Sequence, residues 1–130
     1  MHWFFYVFGA MNVANGLWML LAPADWYHDL PAGVPDTGPL NTHFVRDIGA
    51  AFLTIGVAFV VAARWPAMRR GVLLFSTMFY VLHAAVHVAD LVGGHVHAGH
   101  WLIDLPGVWL PAVVLLVLCL PRFWPQRARA

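Results

Sequence analysis

Four apolar runs divide the chain, and the stretches between and after them hold most of its prolines and arginines. The runs approach the roughly 20 residues that a helix needs to cross a bilayer. Only 10% of the 130 residues are charged and 62% are hydrophobic, against about 25% charged in an ordinary soluble domain. A backbone inside lipid must pair its polar groups within itself, so such runs are expected to be helices. The expected fold is one all-α domain over residues 1–130, an integral membrane four-helix bundle. Its spans are placed at about 3–22, 42–63, 71–92 and 106–120.

The punctuation between the runs agrees. Pro23 ends the first. Residues 23–40, PADWYHDLPAGVPDTGPL, hold four prolines and two glycines and predict a loop with at most a short turn around Trp26 to Leu30. Asn41 or Thr42 is a suitable N-cap for the second run. Gly93 and Gly94 end the third, and Pro111 is placed to bend the fourth. Asn12, Asn15, Gly16 and Met19 share one face of the first helix, and Gly49 and Gly56 lie on the second; small and amide residues favour close helix contact and interhelical hydrogen bonds. The aromatic start, Trp3, Phe4, Phe5, Tyr6 and Phe8, predicts an interfacial belt. Ala22-Pro23-Ala24 looks like a cleavage site, but no basic segment precedes the first run, so that run is expected to be retained. Cys119 is the one cysteine, which excludes a disulfide within the chain and predicts a packing role.

Arginine sets the orientation. Arg64, Arg69 and Arg70 lie between the second and third runs, and Arg122, Arg127 and Arg129 follow the fourth; the other two loops have none. By the positive-inside rule both termini are cytoplasmic, N-in and C-in, and the other loops face outward, the periplasm for a bacterial inner membrane. That orientation puts seven of the eight His and all six Asp on the outward half, with Arg46 as their one Arg. A net charge of +1 argues against nucleic acid as a partner.

The third run contains YVLHAAVHVAD, residues 80–90. His83, His87 and Asp90 stand at i, i+4 and i+7, on one helix face. Ionisable groups are costly in a membrane and mark sites, ions or paired networks. Imidazole with carboxylate suits a transition metal, and zinc, copper or iron is the expected cofactor. His83, His87, His43 and Asp47 are the expected metal ligands. Asp47, with Arg46 beside it, is also the candidate catalytic group, and Asp90, Asn12 and Asn15 would line or orient the site. The alternative is a hydrogen-bonded network that only fixes helix packing, with Arg46 paired to Asp47 or Asp90. Haem held by His43 and His87 is a lesser variant. His95, His97 and His100 have metal-like density but also fit a solvated loop. Asp25, Asp29 and Asp36 read as turn caps. The polar ladder stops near mid-span, which argues against a through-path for protons.

The run HFVRDIGAAFLTIGVAFVVAARWP resembles the Arg-x-x-Gly helix opening of small four-span DoxX-like bacterial membrane proteins, with Arg46 and Gly49 matching and Gly56 continuing the apolar stretch. The resemblance covers about a fifth of the chain. It implies a compact four-helix membrane bundle and no particular activity, since that group is functionally mixed. The His-rich third helix and outer loop depart from its pattern.

Two functional expectations follow. One is a metal-binding membrane protein with an outward His/Asp pocket, as an oxidoreductase or hydrolase acting on a lipid-soluble small molecule. The other is a non-catalytic accessory subunit of a larger membrane complex or homo-oligomer, with a structural His/Asp/Arg network. The missing motifs disfavour a dinucleotide fold, a phosphate loop, a serine-hydrolase elbow and a redox Cys pair.

Overall fold

The computed structural model describes residues 1–124; Arg127 and Arg129 of the basic tail lie outside the described residues. The described chain is helical, with no strand. Helix α1 is His2–Leu21, α2 Pro23–Asp29, α3 Thr42–Arg64, α4 Arg69–Gly93, α5 His100–Ile103 and α6 Leu110–Leu118. Helices α1 and α3 and the stretch Pro66–Gly93 are long and apolar enough to cross a membrane. The stretch Leu105–Leu118 is apolar but shorter.

The helix ends follow from local chemistry. Pro23 opens α2 at a position where its missing N–H costs nothing, with Asp25 in the first turn. The expected loop at 23–40 therefore contains a true helix, folded back on α1 by Trp26, whose indole N–H donates to Asn15 Oδ1 (2.9 Å). Asn41 caps α3 by accepting the Phe44 N–H (3.1 Å). At the far end of α3, the Arg69 guanidinium donates to the carbonyls of Ala62 (3.0 Å) and Ala63 (2.8 Å), supplying partners that a helix C-terminus lacks. Gly94 takes the left-handed conformation (φ 70°) after α4, and the His95 N–H closes back on the Asp90 carbonyl (2.9 Å).

Helices α1 and α3 pack antiparallel through glycines. Gly16 lies against Gly49 and Gly9 against Gly56. A Cβ on Gly16 would sit 2.5 Å from Leu53 N, and one on Gly56 would sit 2.6 Å from Val13 N. Small residues let two helix backbones approach this closely, and this contact is what brings the pair together. Phe59 of α3 packs among Phe4, Phe5 and Phe8. The expected aromatic belt is thus mostly core: Phe5 is fully buried and Trp3 is the one large exposed side chain of the five.

The last helical stretch widens before α6. The Asp104 carbonyl accepts from both Val108 N (2.8 Å) and Trp109 N (3.3 Å), and residues Leu105–Trp109 form a π-type turn. Pro111 has no N–H to continue an ordinary ladder, and widening the preceding turn absorbs the defect. This turn places Asp104 beside α4.

Candidate metal centre

Two loops on the same end of the fold meet. The first, between α2 and α3, is held at both sides. The Tyr27 hydroxyl donates to the Gly38 carbonyl (2.6 Å), and a tight turn closes from Asp36 N to Gly33 O (2.9 Å). Gly33 is left-handed (φ 59°), and Pro35 lies in the 3-10 turn Val34–Thr37. The second loop, between α4 and α5, turns so that the His100 N–H reaches the His97 carbonyl (2.9 Å). Their rings end 5.6 Å apart.

Asp36 bridges the two loops. Its Oδ2 lies 3.8 Å from His97 Nε2 and 3.8 Å from His100 Nδ1. The ligand atoms of Asp36, His97 and His100 lie within 4.8 Å of one another. Two donors about 2.0–2.2 Å from a tetrahedral zinc ion lie about 3.3–3.6 Å apart, so the two 3.8 Å spacings to Asp36 are close to those of a shared ion and the trio must draw in to hold one. Asp36, expected to cap its own turn, makes no cap hydrogen bond there.

His100 is the centre of the arrangement. It is 1% exposed, yet neither ring nitrogen has a hydrogen-bond partner. Leaving buried polar atoms unpaired is costly, and such atoms call for an explanation such as an ion. Nδ1 faces Asp36; Nε2 faces Asp104 Oδ1 at 3.6 Å. Asp104 is 2% exposed, and its other oxygen holds His87 Nδ1 at 2.9 Å. A ligating imidazole normally turns its far N–H to a carboxylate, which fixes the ring and raises its basicity. Asp104 stands where that carboxylate belongs. Gly33 makes room: a Cβ there would lie 3.0 Å from His100 Cε1 and 3.2 Å from Asp36 Oδ2.

The residues singled out from the sequence fall in several places. His83 and His87 lie side by side with ring centroids 4.7 Å apart, His83 also stacking on Phe79 (6.0 Å). His43 and Asp47 pair with each other at 3.4 Å, 88% and 62% exposed. Among the described residues, no hydrogen bond, ion pair or ring contact joins this pair to His83 or His87. The convergent trio, Asp36, His97 and His100, shares no member with the expected set His43, Asp47, His83 and His87. Asp90 reaches His95 (3.3 Å), and Asp104 takes the role at His87 that was expected of Asp90. Arg46 donates from Nε to the Leu20 carbonyl (3.2 Å), closing the end of α1; every close cation–carboxylate pair among the described residues joins a His to an Asp. Asn12 accepts from the Tyr80 hydroxyl (2.8 Å) and donates to the Phe8 carbonyl (2.8 Å), while Asn15 holds Trp26. These amides tie helices together rather than line the His/Asp site.

The family model of DUF4345, a domain of unknown function, matches residues 1–103. The chain belongs to the DUF4345 family. The DUF4345 match takes in α1 to α5, and with them Asp36, His97 and His100, and stops one residue before Asp104. Neither a curated protein nor a solved structure matches the chain.

Proposed function

We propose that this DUF4345 protein is a small integral membrane protein that binds one transition metal ion, zinc, copper or iron, through Asp36, His97 and His100. Helices α1, α3 and α4 and the stretch from α5 to α6 are its four membrane helices. Arg64, Arg69, Arg70 and Arg122 gather at one end, and the His/Asp trio belongs to the other, since α4 runs from Arg69 to Gly93 between them. By the positive-inside rule the metal faces outward, toward the periplasm in a bacterial inner membrane.

One observation carries the metal: His100 is enclosed with both nitrogens unpaired, between two carboxylates, and Asp36 and His97 point donors at the same space. An ion on His100 Nδ1 satisfies one nitrogen, and Asp104 then receives the Nε2–H. Oxygen and imidazole donors suit zinc, copper or iron. A metal placed at the rim of a membrane bundle serves an oxidoreductase or hydrolase acting on a lipid-soluble small molecule.

Elemental analysis of the detergent-purified protein, after loading with each metal and desalting, tests this reading. The expected result is one equivalent of metal, lost in Asp36→Ala and His97→Ala variants whose helical content and elution volume match the parent. Equal metal content in parent and variants would sink it.

A further inference from the structure

We infer that the ion held by Asp36, His97 and His100 keeps coordination positions open on its solvent side and takes a small exogenous donor there, water or a small anion in its place. This rests on the metal reading above and adds what the metal binds.

The donor count comes first. Structural zinc sites are closed by four protein ligands, whereas catalytic sites use three and leave a position for water or substrate. Two imidazoles and one carboxylate is also the set that leaves open positions on non-haem iron. Here three donors converge, and no fourth His, Cys, Asp or Glu joins them among the described residues. The nearest candidates are engaged elsewhere. Asp104 is held by His87 at 2.9 Å and faces the far nitrogen of His100, and His95 is paired with Asp90 at 3.3 Å.

Burial then sets the direction of approach. His100 forms a closed floor, backed by Asp104. Asp36 and His97 form the rim and are 50% and 59% exposed. A ligand therefore arrives over the rim and meets the ion opposite His100. Charge sets the class. Two neutral imidazoles and one carboxylate leave a divalent ion with one net positive charge, which the buried Asp104 carboxylate behind His100 partly offsets, so water or a small monoanion fits the open position.

The experiment uses the full-length protein in detergent, loaded with Co(II) and titrated with azide while the visible spectrum is recorded. The cobalt stoichiometry is measured first, on the same sample. The expected result is one bound cobalt and a saturable, azide-dependent change in its absorption, lost together with cobalt in His97→Ala. Bound cobalt with a spectrum insensitive to azide overturns the open-position inference and leaves the metal reading intact. Azide sensitivity that emerges only in His95→Ala overturns it too, because His95 would then be a fourth ligand. Failure to bind cobalt, with zinc, copper and iron also absent by elemental analysis, removes the metal reading and the inference with it.

Discussion

His87 Nδ1 lies 2.9 Å from Asp104 Oδ2, and through this contact α4 grips the widened turn that opens the last helical stretch. The same carboxylate turns its other oxygen to His100 at 3.6 Å. Asp104 is therefore the link between the imidazoles of α4 and the loop trio. Asp104→Asn keeps the shape and removes the charge. The expected outcome is a loss of metal affinity of about 10–100-fold, the usual cost of a lost outer carboxylate, with the helical fold retained. Competition against a chelator of known affinity measures it, and unchanged affinity would show that His100 needs no support from Asp104.

Gly33 is held at φ 59° with its α-carbon facing His100 and Asp36. Gly33→Ala adds a methyl 3.0 Å from the His100 ring and forces a left-handed alanine, which costs about 1–2 kcal/mol. Lower thermal stability in detergent and weaker metal binding are expected together. Gly71→Ala is the control, since a Cβ there meets nothing within 4 Å. Weakened metal binding in both variants would point to a general effect rather than to crowding at the trio.

Much of this architecture could be read from residue order, and the reason is local. Helix α4 declares itself through its apolar run and its Gly94 stop, and α3 through Asn41. The glycines of α1 and α3 mark a close contact because only small residues allow it. The trio was half legible. His97, His100 and Asp104 recur at i, i+3 and i+7, the spacing of one helix face, although the loop setting favoured a solvated reading. Asp36 carried no local signal. It comes from a distant loop, and only the meeting of that loop with the one between α4 and α5 brings it to the two imidazoles. Phe5 was misplaced for a related reason: an aromatic cluster at a helix start fits a membrane interface or a core, and the partner Phe59 decides between them.

Tyr80 donates to Asn12 Oδ1 at 2.8 Å, deep between α4 and α1. Tyr80→Phe leaves that acceptor unpaired. An intramolecular hydrogen bond is worth about 0.5–1.5 kcal/mol net, so a modest drop in unfolding temperature is expected. Metal content should not change. A loss of metal in Tyr80→Phe would return Asn12 to the cofactor-binding role expected of it from the sequence.

The competing shells separate by mutation. His43→Ala changes an exposed side chain whose partner is Asp47 alone, and His83→Ala changes a ring that touches Phe52, Phe79 and His87. Neither is within the trio, so both variants should retain one equivalent of metal. His97→Ala removes a donor outright and should abolish stoichiometric binding while leaving the helices unaltered, because His97 is exposed. His100→Ala should abolish it as well, and Asp36 and Asp104 then lose the imidazole between them, so some loss of stability accompanies the loss of metal. Full occupancy in His97→Ala combined with loss in His83→Ala would transfer the site to α4.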